Sequence, residues 1–273
     1  MNAPSPAGRL RADALTLAHD RLVVSEGLSL DVPDGSFTVL VGPNASGKST
    51  LLHALGRMLR PRAGAVLLDG HDIARTPSRH VARRLGLLPQ SPVAPDAITV
   101  ADLVSRGRYP HQGLLRRWSP ADQAAVEEAV ALAGVADLAG RGVDELSGGQ
   151  RQRVWLAVAL AQQTPVLLLD EPTTYLDIAH QVEVLDLLER LHAGGRTLVA
   201  VLHDLNQAAR YATHLVALHA GRVVAAGPPA EVVTAELVER VFGLPVRVIE
   251  DPETGTPLVV ARRTRPADRT AGR

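Results

Sequence analysis

A chain of 273 residues, 46% of them hydrophobic, is long enough for one large domain or two subdomains with a substantial core. Its 29 basic and 29 acidic residues cancel, so no global field recruits nucleic acid or anionic lipid. Cysteine is absent, which excludes disulfides, thiolate metal sites and iron–sulfur clusters and fits a reducing compartment. At the start, Met1-Asn2-Ala3-Pro4-Ser5-Pro6 does not read as a signal peptide, and nowhere does an apolar stretch approach the ~20 residues of a membrane span. If the chain serves transport, other chains must form the pore.

From about Arg9 to Leu88 the sequence is rich in strand patterns. Ser36-Phe37-Thr38-Val39-Leu40-Val41 is an apolar run of β type, and Thr50 to Leu55 reads as a helix. Between them lies Gly42-Pro43-Asn44-Ala45-Ser46-Gly47-Lys48-Ser49, a P-loop in the strand–loop–helix context that the pattern requires. Gly42 and Gly47 allow the backbone to turn tightly, so that successive N–H groups point at an anion, and the helix N-terminus adds its partial positive charge. Lys48 supplies a full charge for the outer phosphates of a nucleotide. Ser49 offers its hydroxyl to Mg²⁺, with Thr50 beside it. Ala45 stands where glycine is common and asks only for an accessible backbone geometry.

Gln90-Ser91-Pro92-Val93-Ala94-Pro95 breaks the strand pattern, and a helical stretch follows from about Ser91 to Ala161. Within it Ser119-Pro120-Ala121-Asp122 reads as a helix start, with a capping hydroxyl, a proline in the first turn and an acid three residues on. That helix is expected to run through Ala133 and stop at Gly134. Arg106, Arg108, Arg116 and Arg117, interleaved with Tyr109 and Trp118, read as a solvated basic face or as a surface meeting a membrane partner or lipid headgroups, rather than as a nucleic-acid patch. Leu146-Ser147-Gly148-Gly149-Gln150 is a second glycine-rich helix start, and Arg151 to Leu160 continues as helix.

Pro165-Val166-Leu167-Leu168-Leu169 is a continuous apolar run, as expected of a parallel strand buried on both faces. Ending such a strand in Asp170-Glu171 is costly unless the carboxylates face a cation or a reacting water. Asp170 stands where P-loop enzymes hold Mg²⁺, and Glu171 is the candidate general base. Thr197 to Leu202 is a further apolar strand, ended by His203. Pro245 to Val260 is expected to form a short hairpin about Asp251-Pro252-Glu253-Thr254-Gly255. The expected organisation is a single domain over residues 9–261, with disordered tails at 1–8 and 262–273.

With these motifs in this order, the chain from about Leu15 to Val260 resembles the ATP-binding subunit of ABC transporters, whose defining signature is similar to Leu146-Ser147-Gly148-Gly149-Gln150. The resemblance implies an α/β P-loop NTPase fold with an N-terminal antiparallel β portion and an α-helical subdomain at about 91–161, an ATPase activity, and ATP and Mg²⁺ as ligands. It also implies further roles. Gln90 would contact Mg²⁺ and the attacking water and sense the membrane partner. His203 would contact the γ-phosphate, and Asp177, in Thr173-Thr174-Tyr175-Leu176-Asp177, would touch the opposite subunit. His19 takes the place of the aromatic residue that usually stacks on adenine; imidazole offers less π-surface than phenol.

No internal repeat is visible, so one chain holds one cassette. The resemblance therefore implies a head-to-tail pair in which Ser147, Gly148, Gly149 and Gln150 of one subunit close over ATP held by the other. Its implied partners are transmembrane permease subunits, with an extracytoplasmic substrate-binding protein acting through them and no nucleic acid. The implied location is the cytoplasmic side of the cell membrane. Thr99 to Ser119, Tyr175 to Gln181, His203 to Tyr211, Gly243-Leu244-Pro245 and Gly255 to Val260 resemble the subgroup that drives ferric-siderophore import, with haem and cobalamin importers closely related. A soluble ABC ATPase acting on ribosomes or DNA usually carries tandem cassettes or long coiled-coil insertions, neither visible here. A P-loop phosphotransferase would have no use for Leu146 to Gln150.

Overall fold

In the computed structural model, which describes residues 9–112 and 118–262, the strands form two large sheets and a two-stranded hairpin. The expected tails, apart from Arg262, and Arg116 and Arg117 of the basic cluster lie outside the described residues. Strand β1 (Leu10–His19) turns at Asp20, whose φ is 47°, into antiparallel β2 (Leu22–Val32). Strand β3 (Phe37–Val41) is buried at every position and leads through the glycine loop into helix α1 (Lys48–Leu55). Strand β4 (Ala63–Leu68) pairs back on β1 and turns at Asp69-Gly70 into β5 (His71–Asp72). Both turn residues have positive φ, the geometry that favours Asp-Gly in two-residue hairpins. Helix α2 (Ser78–Ala82) then leads to β6 (Leu85–Leu88).

The helical stretch comprises α3 (Val100–Ser105), a 3-10 turn at Arg106–His111, α4 (Pro120–Leu132) and α5 (Gly148–Ala161). Helix α4 begins as the sequence predicts: Ser119 Oγ accepts from Asp122 N (3.2 Å) and Asp122 Oδ2 accepts from Ser119 N (3.1 Å). It ends at Leu132, one residue short of the expected Ala133, which is the C-cap, and the chain then turns at Gly134, where φ is 62°.

The reading of Arg108 as part of a solvated face is corrected here. Its side chain is 6% exposed and Nε donates to Asp122 Oδ1 (3.0 Å), itself 1% exposed. Nη1 donates to Ala161 O (2.8 Å) and Gln163 Oε1 (3.2 Å). Hydrogen bonding from Ser119, with Arg108 adding to it, holds the Asp122 carboxyl below the usual range, so the buried pair stays charged. Arg108 is thus a bolt fastening the 3-10 turn to α4 and α5. Gly107 permits this approach, since a Cβ there would lie 2.5 Å from Val158 O.

The remaining elements are β7 (Val166–Asp170), α6 (Ile178–Ala193), β8 (Thr197–Val201), α7 (Leu205–Tyr211), β9 (His214–His219) and β10 (Arg222–Gly227), then α8 (Pro229–Val232), α9 (Ala235–Phe242), β11 (Val246–Glu250) and β12 (Pro257–Ala261). One antiparallel sheet has the order β2-β1-β4-β5, and the central sheet has the order β10-β9-β3-β8-β7-β6. In the central sheet β9, β3, β8, β7 and β6 run parallel, and β10 is an antiparallel edge. The expected hairpin is formed by β11 and β12 about Asp251, and Arg262 N still donates to Pro245 O (3.0 Å), one residue into the stretch assigned to the tail.

Alternate residues of the central strands serve two cores. Leu40, Leu168, Val199 and Val201 pack with α1 and the antiparallel sheet. Val39, Val41, Leu167, Leu169, Leu198 and Ala200 pack with α5, α6 and the helical stretch. Each fully buried leucine among them contributes about 2 kcal/mol of hydrophobic stabilisation. Burial on both faces explains the unbroken apolar runs and brings the carboxyl ends of β3, β7 and β8 side by side, where open α/β sheets place ligands.

Candidate functional site

The loop from Gly42 to Gly47 leaves β3 through two glycines with φ of 150° and 99°, and Ala45 between them has φ of 60°. A Cβ at Gly42 would lie 2.2 Å from Leu218 O, so the backbone there admits only glycine. A left-handed Ala45 costs about 1 kcal/mol relative to its ordinary region, so its departure from glycine is a strained one. The loop ends at the first turn of α1, and Asn44 to Thr50, together with Glu171 and His203, line a cavity of about 270 Å³.

Lys48 is 6% exposed, and its Nζ donates to Gly42 O and Pro43 O, both at 2.9 Å. Burial pulls its pKa below the ordinary lysine value, while Glu171 and Asp170 oppose that fall. An ammonium held on neutral carbonyls keeps its full charge at the cavity and can exchange those oxygens for phosphate oxygens.

Asp170 ends β7 fully buried, and its Oδ1 accepts from Ser49 Oγ (2.9 Å). Its Oδ2 lies 3.0 Å from His53 Nε2 but is left without a hydrogen bond. A buried, unsatisfied carboxylate oxygen beside a hydroxyl is a donor set for a hard cation. Among the described residues no cluster of three or more His, Cys, Asp or Glu could hold a metal. That pattern suits Mg²⁺, which takes one or two protein oxygens and completes its shell from phosphates and water.

Glu171 has φ of 53°, a left-handed conformation that only surrounding structure can hold for a glutamate. Three side chains converge on its carboxylate. Gln90 Nε2 donates to Oε2 (2.7 Å), Thr174 Oγ1 donates to the same oxygen (3.2 Å), and His203 Nε2 lies 2.6 Å from Oε1. Residues far apart in sequence are thus collected onto one acid, because β6, β7 and β8 lie adjacent and each delivers a residue from its carboxyl end. A carboxylate so aimed beside a phosphate cradle can orient and deprotonate a water.

The remaining predicted residues fall elsewhere. His19 is exposed at the end of β1, and its Nε2 lies 3.1 Å from Thr50 Oγ1. Ser147 caps α5 in a capping box, with Oγ accepting from Gln150 N (3.3 Å) and its own N donating to Gln150 Oε1 (3.1 Å). Ser147 to Gln150 and Asp177 line a second cavity of about 450 Å³ that shares no lining residue with the first. There Asp177 caps α6, accepting from His180 N (2.9 Å) with His180 Nδ1 at 2.7 Å, and these bonds hold its carboxyl below the usual range. One chain therefore carries two separate cavities lined by the predicted residues. His53 and Thr174 were not singled out from sequence, although His53 lies one helical turn beyond Ser49 and Thr174 three residues beyond Glu171.

The ABC transporter family profile matches residues 25–174, more than half of the chain. The chain belongs to the ABC transporter family. This ABC ATPase is 54% identical to the ferric enterobactin transport ATP-binding protein FepC of Escherichia coli (strain K12) over 96% of both chains. It is 50% identical to the probable siderophore transport system ATP-binding protein YusV of Bacillus subtilis (strain 168), over 92% of both. Haem and cobalamin import ATP-binding proteins are more distant relatives. In fold it matches the dimeric structure of the bacterial ABC transporter cassette MJ0796 with a TM-score of 0.73 at 26% identity, covering 80% of this chain and 98% of that one. The fold class read from the sequence is the one observed, and membership of the family makes the protein an ATPase whose hydrolysis is coupled to transport. Among the described residues of this ABC ATPase no helix is long and apolar enough to cross a membrane.

Proposed function

We propose that the chain energises import of ferric siderophores, working as a head-to-tail pair bound to permease subunits at the cytoplasmic face of the membrane. The observation that carries the catalytic part is the convergence of Gln90, Thr174 and His203 on Glu171 at the mouth of the P-loop cavity. The substrate class follows from the import subunits it resembles, haem and cobalamin import being the alternatives.

In this reading the loop N–H groups and Lys48 hold the nucleotide's phosphates. Ser49 and Asp170, with Gln90, would hold Mg²⁺, which would supply positive charge against the charge developing on the phosphates. Glu171 takes a proton from water attacking the γ-phosphate, and His203 keeps that carboxylate aimed. Ser147 and the amides of Gly148 and Gly149 from the second chain close the site from above, with Asp177 of each chain against the other. In this reading each cavity is one half-site, and their separation within one chain supports the pairing. In the helical stretch, a hollow of about 520 Å³ lined by Asp102, Arg106, Tyr109 and Trp118 offers the permease a docking surface. The permease would in turn face an extracytoplasmic binding protein.

His19 is assigned to the adenine. A His19→Tyr chain, with more π-surface for stacking, is expected to bind ATP about 3- to 10-fold more tightly in calorimetry. Equal affinities would remove His19 from the nucleotide. The transport reading is tested by deleting the gene and measuring uptake of radiolabelled ferric siderophore, haem and cobalamin. Loss of siderophore uptake alone is the expected result. Loss of haem or cobalamin uptake instead would reassign the substrate, and three unchanged rates would remove the importer role.

A further inference from the structure

Helix α7 begins two residues after His203, and its short length is compensated by bonds on two faces. One face carries Asn206 and Arg210, one turn apart. Asn206 pairs with the backbone of β12 as a neighbouring strand would, Oδ1 accepting from Val259 N (2.7 Å) and Nδ2 donating to Val259 O (3.3 Å). Arg210 donates through Nη2 (2.7 Å) and Nε (3.2 Å) to Asp251 Oδ2, whose side chain is 8% exposed. The other oxygen of Asp251 caps the hairpin turn by accepting from Glu253 N (3.0 Å).

The second face carries Gln207 and Tyr211, again one turn apart, and both reach α6. Gln207 Nε2 donates to Gln181 Oε1 (2.8 Å), and Gln181 Nε2 donates to Leu176 O (3.1 Å), in the loop that ends at Asp177. Tyr211 Oη donates to Asp186 Oδ1 (2.7 Å). Burial, then the bond to Asp186, pushes the Tyr211 hydroxyl up to about 12, so it remains a donor at every physiological pH. Asp204 joins α7 to the strand end by accepting from Asn206 N (2.8 Å) and Gln207 N (3.0 Å).

We propose that Asn206, Gln207, Arg210 and Tyr211 are positioning residues that clamp α7 between the C-terminal hairpin and α6, and thereby fix His203 against Glu171 and tie it to the loop carrying Asp177. The proposal rests on the reading of His203 as a group that aims Glu171. The hairpin packs Val248 and Val259 against the core; beyond that apolar contact, its backbone and its buried Asp251 are read by the polar side chains of one face of α7. Coupling of this kind runs through rigid elements joined by specific bonds. A change at the Asp177 loop, where a second chain would sit, is transmitted through Gln181 and Gln207 to α7.

The test compares full-length wild type with the doubly substituted chains Asn206→Ala/Arg210→Ala and Gln207→Ala/Tyr211→Phe. Three quantities are read: kcat, KM for ATP, and the ¹⁵N resonance of His203 Nε2 in nucleotide-free protein. Each double substitution is expected to lower kcat roughly 10-fold, as small misplacements of catalytic groups do. KM should stay within about two-fold, because the phosphate cradle is untouched. The His203 signal should move toward that of a free imidazole. Asn206→Asp, which keeps the acceptor for Val259 N, should retain most of the turnover.

Unchanged kcat and an unchanged His203 signal would overturn the proposal, as would a fall in kcat matched by an equal change in KM. If a double variant fails to fold, Gln207→Ala and Tyr211→Phe alone, each removing one bond, are read the same way with smaller shifts. His203→Ala, run in parallel, separates the two levels. Wild-type turnover in that chain would remove the role of His203 and the clamp with it, whereas loss of turnover there beside normal clamp variants would remove the clamp alone.

Discussion

Replacing Glu171 with glutamine is expected to lower ATP turnover about 10³-fold, the loss typical of a removed general base. Nucleotide binding should remain. Glutamine has the same shape and tolerates the same left-handed backbone, where φ is 53°. Its amide oxygen can still accept from Gln90 and Thr174, which now lie at 2.7 and 3.2 Å from Oε2. The capacity to take a proton is what disappears. Because the phosphate cradle and the second half-site at Ser147 are unaltered, the variant should bind ATP, pair with a second chain and stall. Phosphate release and gel filtration in ATP check both parts; near-normal turnover would remove Glu171 from the role of base.

Lys48→Ala has a different signature, with affinity and turnover lost together. Nζ is the one full positive charge built into the loop, held at 2.9 Å by Gly42 O and Pro43 O. Removing it forfeits charge-assisted bonds to the outer phosphates and leaves those two carbonyls without their donor. ATP affinity is expected to fall about 100-fold, corresponding to the loss of such bonds at a desolvated site. Calorimetric titration with ATP measures this directly, and retained affinity with retained turnover would contradict the assignment of the loop.

Much of this architecture could be read without coordinates, because the decisive residues sit where local pattern and chemistry coincide. The run Phe37 to Val41 is buried on both faces, as an unbroken apolar strand must be, and Gly42 is a glycine because a Cβ would strike Leu218 O. The hairpin about Asp251 and the start of α4 at Ser119 followed from turn and cap chemistry of the same local kind. What escaped depends on tertiary pairing. Arg108 looked like one more surface arginine, yet Asp122, fourteen positions away, and the carbonyl of Ala161 bury it. Thr174 bonds Glu171 only because the loop after β7 curls back, and His53 meets Asp170 only because α1 packs beside β7. The clamp on α7 likewise joins residues 25 to 53 positions apart, beyond any local periodicity.

If the chemistry at Glu171 drives import, a chain that cannot hydrolyse ATP cannot support uptake. The most direct measurement is uptake of radiolabelled ferric siderophore by cells lacking the native chain and supplied with either wild type or Glu171→Gln at equal abundance. Restoration by wild type and none by the variant is the predicted result. Equal restoration by both would contradict it.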